Sequence, residues 1–535
     1  MTERQADRWS AWAVLAWALV AFWAAHPRAV GLFSDDGIYL STARSLAETG
    51  EYRLRSVPGA PAQTKYPPLW PAMLAIAWRL APDPAAAARA AQGLAIALTA
   101  LSWWLFRRVA TRTLGVSPGA SLALVALLVA SPMLFIGACW PLSEPLFGCL
   151  SALALLAAPR SWGAPGAPGA STGASSAGIF AAAAFLTRIQ GVALIAALVA
   201  AKARERRWRA AALIGLPGAV AIGGWLAWTL VHRFAAPPLL SYYTSYRQAA
   251  VQWLARGFGV VARDFLFEVA RTVEHFGALL LCMRGAGAWL LGTVVAVLAG
   301  FGAARLLREG RREALLWLAA GLGLAALHPD PAARFLSPLL PVLLGVAARA
   351  ELPRRVARFG ARGLALAVAL SGLLRIGIEL AARDPALLPD PLTLSSQRSA
   401  LASFEATAAF LRAQVARGEG VAAANDLWFH LATDRETLRF WLYRPRELAY
   451  ARRGAPPPWV GDAREILADL GALGVGWLVL EPGSVDRFIE GPAILRLGRE
   501  LVALPEAGAE LRFVSNDRAH EVFRLHLART GDRTR

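Results

Sequence analysis

Apolar segments long enough to cross a bilayer recur along most of this chain, and they constrain its fold more than any other feature. With 56% hydrophobic and only 17% charged residues, the composition excludes an ordinary soluble protein. The sequence therefore predicts a polytopic α-helical membrane protein. We place the apolar spans at 9–30, 86–106, 119–138, 142–158, 178–201, 210–231, 286–304, 313–328, 335–348 and 363–381.

The net charge of +19 comes largely from arginines in short loops between these spans. Short Arg-rich loops stay in the cytoplasm, so the charge indicates topology and argues against nucleic-acid binding. We predict a bacterial inner-membrane protein whose first loop (31–85), second large loop (232–285) and tail lie on the external, periplasmic face. The three Cys and seven His lack metal-ligand spacing, so we expect no metal and no cofactor.

The apolar segment 178–201 conflicts with a simple alternation of spans. A single crossing would place the densest basic run, KARERRWR, on the external side. We therefore predict a hairpin of two short helices with the polar turn 187–191 at membrane depth, which is tolerated where protein or a water-filled cavity surrounds it. The alternative is one tilted span with Arg188 snorkelling to the interface.

The chain changes character near residue 385. Helix-like and strand-like patterns alternate in the tail, from SALASFEATAAFLRAQVARG through VGWLVLEPG to HEVFRLHL. We predict a multi-span domain at 1–385 and an external α/β domain at 386–535.

The stretch SDDGIYLSTARSLAETG, residues 34–50, follows the first span directly. Ser34 can cap a helix whose first turn holds Asp35 and Asp36, and Gly50 can end it. We predict a short amphipathic helix at the outer membrane surface. Neighbouring side chains on a helix point about 100° apart, so the two carboxylates cannot face one point. Both acids also favour the positive end of a helix dipole, which explains either residue without a catalytic role.

Five motifs in order resemble the GT-C membrane glycosyltransferases, in particular the protein O-mannosyltransferases and lipid A aminoarabinose transferases. They cover most of the first 350 residues, and the tail matches only loosely. The motifs are SDDGIYLSTARSLAETG, KYPPLWP (65–71), WPLSEPLF (140–147), LTRIQG (186–191) and HPDPAARFLSPLLP (328–341).

The resemblance implies transfer of a sugar from a polyprenyl-phosphate carrier to an external acceptor, usually with inversion. A phosphate leaving group needs no protonation, so one base suffices to take the acceptor's proton. The first acid of the family's loop motif falls on Asp35, which is assigned as that base, with Asp36 as a helper or structural neighbour. Glu144 caps a helix or lines the catalytic cavity, and the sequence alone does not separate these roles.

The donor's phosphate requires cations close to the hydrocarbon boundary. A guanidinium suits a phosphate's bidentate geometry, so Arg334 is the first candidate, with a snorkelling anchor as the alternative. Lys65 and Tyr66 of the YPP turn and Arg188 at the hairpin tip are further substrate-binding candidates. Tyr243 lies in the first part of the second large loop and offers an aromatic face to a sugar or isoprenoid.

The expected partners are a polyprenyl-phosphate-linked sugar, a glycan, lipid or protein acceptor, and membrane lipid. Two other classes of protein are also polytopic. A lipid-linked-sugar flippase would carry charged residues along a path between both faces. A non-catalytic assembly factor would use the tail as its working part, which leaves the ordered loop motifs unexplained.

Overall fold

The computed structural model describes residues 1–158, 170–233, 237–243, 257–327, 333–351, 353, 360–389, 397–441, 462–482 and 491–527. The helices in the membrane part are α1 (Glu3–Ala24), α2 (Asp35–Thr49), α3 (Leu69–Leu80), α4 (Pro84–Arg108), α5 (Pro118–Val129), α6 (Pro132–Ala138), α7 (Glu144–Ala157), α8 (Ala170–Thr187), α9 (Gly191–Arg204), α10 (Trp208–Val231), α11 (Phe258–Leu281), α12 (Ala286–Arg308), α13 (Glu313–Ala326), α14 (Leu340–Ala347) and α15 (Arg362–Ala381). The tail contributes α16 (Leu401–Gln414), α17 (Asp426–Thr433), α18 (Ala463–Ala472) and α19 (Gly491–Ala503).

Four described helices are long and apolar enough to cross a membrane: α4 with its continuation to Thr113, α10, α12 and α15. The pair α5 and α6 forms a fifth span if it is one crossing bent by 65°. The protein is thus a multi-pass membrane protein. The predicted spans 142–158 and 313–328 correspond to helices of 14 residues each, α7 and α13, which are shorter than a typical crossing.

The first predicted span, 9–30, is displaced. Helix α1 starts at Glu3, where Thr2 and Gln5 form a capping box, and it ends at Ala24. Pro27 begins a separate 3₁₀ turn, so the last residues of the predicted span are not part of the helix.

The basic loops meet at one end of the helix bundle, which we call the basic end. Hydrogen bonds and ion pairs join the loops that follow α4, α9, α12 and α14. These contacts are Arg311 to the Thr113 carbonyl (2.7 Å), Arg349 to the Gly115 carbonyl (2.7 Å) and Lys202 to Glu313 (3.0 Å). The first loop and the tail lie at the opposite end, which we call the loop end, where Trp228 at the end of α10 donates to the Gln63 carbonyl.

Segment 178–201 is a hairpin rather than one tilted span. A Cβ placed on Gly178 of α8 would lie 2.6 Å from the Leu213 carbonyl oxygen, while one on Gly215 would lie 3.4 Å from Val199 of α9. Residues on both sides of the 188–190 break therefore meet α10 within two residues of each other. Two helices in line could not do so, because about 20 residues of continuous helix span about 30 Å.

Helix α2 departs from the prediction in its environment. Every residue from Asp35 to Ala43 is buried, because α2 is covered by α3 and by α17 of the tail. It is therefore a core helix of the loop end and not an amphipathic helix on the membrane surface. Gly50 ends it in a left-handed conformation with φ +74°, as predicted. Ser34 occupies the N-cap position but its side chain makes no capping bond.

The second large loop, predicted at 232–285, contains an unpredicted 24-residue helix, α11. It packs closely on α12, since a Cβ on Gly277 would come within 1.9 Å of the Ala288 carbonyl oxygen. The charged residues in α11, including Glu268, lower its hydropathy, which is why apolar-span reasoning missed it.

The tail forms the predicted small α/β domain. Its described strands are β1 (Leu387–Pro389), β2 (Gln397–Ala400), β3 (Gly420–Ala423), β4 (Thr437–Leu438), β5 (Val475–Leu480), β6 (Glu510–Val514) and β7 (Glu521–Arg524). Strands β1 and β2 pair by themselves, and the others form one sheet in the order β4-β3-β5-β7-β6. Strand β3 runs parallel to β4 and β5, whereas β7 is antiparallel to both neighbours. The domain shares a continuous apolar core with the first loop, in which Trp428 and Leu427 join Leu32 and Ile38.

Candidate active site

Asp35 lies at the centre of a buried polar cluster at the loop end. It is the first residue of α2, and its carboxylate accepts a hydrogen bond from the Tyr66 hydroxyl at 2.5 Å and another from Arg334. Burial opposes ionisation of this carboxyl, but Arg334, Lys65 and the Tyr66 hydroxyl outweigh it and hold the pKa of Asp35 well below its usual range. Asp35 is therefore an anion at neutral pH.

Arg334 connects Asp35 to Glu144. It lies in the 3₁₀ turn Ala333–Leu336, and its Nε is 4.0 Å from Glu144 Oε1. The guanidinium is flanked by the ring of Phe33 at 4.7 Å and that of Phe335 at 5.0 Å. Among the described residues, its Nη1 is buried without a hydrogen-bond partner, so the guanidinium keeps a donor for a further group.

Glu144 pairs with the hairpin tip. It is the first residue of α7, and its Oε1 lies 2.9 Å from Arg188 Nη1. This contact has ion-pair distance without hydrogen-bond geometry, and both carboxylate oxygens are buried without a hydrogen-bond partner in the part of the chain that the structure describes. Ser143 holds the N-cap position without capping; its Oγ instead accepts from Arg188 at 2.8 Å and lies 3.0 Å from the Tyr39 hydroxyl. The position of Glu144 in the cluster favours the cavity interpretation over the helix cap.

The YPP turn completes the cluster. Lys65 is buried, and its Nζ lies 5.3 Å from the centre of the Tyr66 ring. Among the described residues, the cluster brings the cations Lys65, Arg188 and Arg334 around the carboxylates of Asp35 and Glu144.

Asp36 points to a different place, as helical geometry predicts. Its two carboxylate oxygens accept from the backbone amides of Gly31 and Gly37, each at 2.8 Å. Burial raises the pKa of Asp36 to about 7, because these amide bonds offset only part of the burial. Its contacts fix the loop before α2.

Tyr243 is placed differently from its prediction as a sugar-binding residue. Its ring is fully buried, and its hydroxyl donates to Asp426 of the tail. The ring therefore has no open face for a sugar, and it docks the second large loop onto the tail. The sequence could not show this, because the contact joins residues 183 positions apart.

Three further residues belong to the site and were missed. Tyr39 lies four residues after Asp35, a spacing that places both on one face of α2 and could have identified it. Ser143 was considered only as a cap. Arg439 of the tail donates to Ser34, the residue before Asp35, and no local pattern marks it. Among the described residues, no group of three or more His, Cys, Asp or Glu side chains is placed to hold a metal ion.

Solved structures that share the fold of this chain confirm the predicted GT-C type of helix bundle. A crystal structure of ArnT from Cupriavidus metallidurans bound to undecaprenyl phosphate is similar to it, with a TM-score of 0.55 and 17% identity over 96% of this chain and 97% of that chain. The archaeal oligosaccharyltransferase AglB from Archaeoglobus fulgidus, in complex with an inhibitory peptide and a dolichol-phosphate, has a TM-score of 0.52 at 12% identity over 96% of this chain and 74% of that one. No protein-family model and no curated protein matches the sequence.

Proposed function

We propose that this protein is a GT-C glycosyltransferase that moves a monosaccharide from a polyprenyl-phosphate carrier to an acceptor hydroxyl on the external face of the bacterial inner membrane. The observation that carries the proposal is the buried cluster around Asp35, in which Arg334 keeps a buried donor, Nη1, without a hydrogen-bond partner among the described residues. A polyprenyl-phosphate sugar is a phosphodiester with a single negative charge, and its phosphate oxygens would accept from this donor. The ArnT and AglB structures are described with undecaprenyl phosphate and with a dolichol-phosphate, both polyprenyl phosphates.

The phosphate would bind between Arg334 and Arg188. Arg334 offers the buried Nη1 that lacks an acceptor among the described residues, and a guanidinium matches phosphate oxygens geometrically. Lys65 adds positive charge close enough to act on Asp35. As the sugar–phosphate bond breaks, the leaving phosphate gains negative charge, and these three cations would stabilise it most strongly at that moment.

Asp35 would act as the general base. The pairing with Arg334 makes it a weak base, as its lowered pKa indicates. A bound phosphate would compete for the same guanidinium and so restore the basicity of the carboxylate. The acceptor's oxygen then attacks the sugar's anomeric carbon, its proton passes to Asp35, and the polyprenyl phosphate leaves with the electron pair of the broken bond. A single displacement of this kind inverts the anomeric carbon.

The first experiment measures donor recognition without knowing the sugar. Purified protein in nanodiscs is titrated with undecaprenyl phosphate, with phosphatidylglycerol as the control lipid, and binding is followed by native mass spectrometry. We expect wild-type protein to prefer undecaprenyl phosphate. Equal affinity for both lipids would contradict the proposal.

The second experiment identifies the reaction. Lipid-linked sugars and cell-surface glycans are compared by mass spectrometry in cells with and without the protein. Loss of one sugar from a surface glycan, with build-up of its polyprenyl-phosphate form, is the expected result. Loss of a flippase would also cause the carrier form to build up, but on the cytoplasmic face of the membrane. Loss of an assembly factor would change neither pool selectively.

The orientation is tested by cysteine labelling in a background with Cys139, Cys149 and Cys282 changed to Ser. Ala413→Cys lies on an exposed face of α16 in the tail, and Arg204→Cys lies exposed at the basic end. In intact cells with a permeabilised outer membrane, an impermeant thiol reagent should label position 413 and not position 204. The reverse pattern would place Asp35 on the wrong face.

A further inference from the structure

The turn that carries Asp35 has an unusual backbone. Ser34 has φ +74° and ψ −62°, and the Asp35 amide donates to the Phe33 carbonyl at 3.0 Å across it. This is a γ-turn of the rare form with positive φ, which is strained for any residue other than glycine. Strain of this kind persists only where surrounding structure holds it, and it concentrates at functional sites.

The tail supplies the structure that holds this turn. Arg439 donates through Nη2 to Ser34 Oγ and through Nε to Asp426 Oδ1, the latter at 3.2 Å. Asp426 also accepts from the Tyr243 hydroxyl, so the carboxylate that holds the guanidinium is itself held in place. Arg439 is itself buried, and its guanidinium lies 4.7 Å from the Trp441 ring centre.

The residues on each side of the turn also pack against helix α17 of the tail. A Cβ on Gly31 would lie 2.8 Å from Trp428 Cα, and one on Gly37 would lie 2.6 Å from Leu427 Cβ. Trp428 Nε1 donates to the Arg28 carbonyl at 2.7 Å. The segment from residue 28 to 37 therefore has close contacts with the tail along its whole length.

We propose that Arg439 is a positioning residue: by holding Ser34 in the strained turn, the tail aims the Asp35 carboxylate at Tyr66 and Arg334. The inference rests on the proposed function, in which Asp35 is the base. It assigns the tail a direct part in the reaction without contact to the substrate. A base displaced by about 1 Å loses on the order of a hundredfold in rate, so this contact is expected to control turnover.

The test uses the full-length protein with two variants that break the contact from opposite sides. Arg439→Gln removes the guanidinium, and Ser34→Ala removes the hydroxyl while keeping the Arg439–Asp426 pair and the strain of a positive φ. Arg435→Gln is the matched control, because Arg435 donates to the Val415 and Arg412 carbonyls within the tail. Hydrogen exchange of the peptide covering 30–40 should be about tenfold faster or more in both test variants and unchanged in the control.

Turnover is measured with the undecaprenyl-phosphate sugar that the cell comparison identifies. Each test variant should lower kcat by about tenfold to a hundredfold with KM for that donor within about threefold, and the double variant should match the more impaired single variant. Arg439→Lys should recover part of the rate. Undecaprenyl phosphate alone should bind all variants with wild-type affinity.

Several results would overturn the inference. They are wild-type kcat in folded Arg439→Gln or Ser34→Ala, additive losses in the double variant, or a loss that appears mainly in donor KM. If Arg439→Gln does not fold, Ser34→Ala decides the question alone. Asp35→Asn separates this inference from the proposed function. Full turnover by that variant would refute the assignment of Asp35 as the base. An inactive Asp35→Asn together with a fully active Arg439→Gln would refute only the positioning role of Arg439.

Discussion

A buried ion pair at one end of the bundle and a buried cluster at the other differ in how fully their polar atoms are paired. At the basic end, Lys202 is 3.0 Å from Glu313 and 3.5 Å from Glu205, which in turn lies 3.7 Å from Arg207. At the loop end, Asp35 and Glu144 face Lys65, Arg188 and Arg334, and polar atoms of Glu144 and Arg334 are buried without a hydrogen-bond partner among the described residues.

The difference separates a pair that stabilises the fold from a cluster prepared for a ligand. Burying charges is favourable only when each is compensated, as Lys202 and Glu313 compensate each other. A buried donor without a partner, such as Arg334 Nη1 among the described residues, instead favours a ligand that accepts from it. Four predictions test this contrast, from the largest expected effect to the smallest.

Breaking the ion pair of Lys202 and Glu313 should lower the stability of the protein without changing its catalytic step. Lys202→Met leaves Glu313 buried without its nearest cation, and we expect the free energy of unfolding to fall by about 3 to 5 kcal/mol. The double variant Lys202→Met with Glu313→Leu should recover much of that loss, because a well-packed apolar pair can replace a buried ion pair. Thermal unfolding in detergent measures both. A single variant as stable as wild type would show that this pair is not structural.

Removing the proposed base, Asp35, should lower activity and leave stability unchanged. Asp35→Asn keeps the side-chain size, so expression and unfolding should stay near wild type while transfer falls by about a hundredfold or more. Asp36→Asn is the matched control and should be milder, because its carboxylate contacts backbone amides away from Arg334. Full turnover by Asp35→Asn would refute the assignment, and a larger loss at Asp36 would exchange the roles of the two acids.

Arg334 should matter for donor binding. Arg334→Gln removes a charge-assisted phosphate contact worth about 1.5 to 3 kcal/mol, so the Kd for undecaprenyl phosphate should rise about tenfold or more. The control is Arg383→Gln, an arginine at the loop end whose side chain donates to the Trp23 carbonyl instead. An unchanged Kd in folded Arg334→Gln would assign this residue to interfacial anchoring.

Asp36 predicts a modest pH dependence with a definite sign. Its pKa is about 7 in the folded protein and about 3.9 in an unfolded chain, so folding favours the protonated form. The contribution of Asp36 to stability is therefore present below the unfolded pKa and is lost as pH rises through about 7. Between pH 5 and pH 8, the free energy of unfolding should decrease less in Asp36→Asn than in wild type. Parallel pH profiles would contradict the assigned burial effect.

The hairpin tip and the first-loop helix show how far sequence patterns reach. The excess of arginine after residue 201 predicted the hairpin, because loop charge is a local property that membrane insertion sorts by side. The same reasoning missed α11, whose charged residues hide its helical packing. It also placed α2 at the membrane surface, since the apolar spacing of a helix does not say what covers its other faces.

The sequence by itself determined the membrane bundle, its basic loops, the α/β tail and the candidates Asp35, Glu144, Arg188 and Arg334. These follow from hydropathy, charge and short motifs, which act over a few residues. Only the tertiary structure decided that Asp35 meets Arg334 across 299 positions and that Ser34 meets Arg439 across 405. Such contacts join single polar side chains whose own neighbourhoods resemble ordinary loops, so their partners are chosen by packing of the whole chain and not by any local pattern.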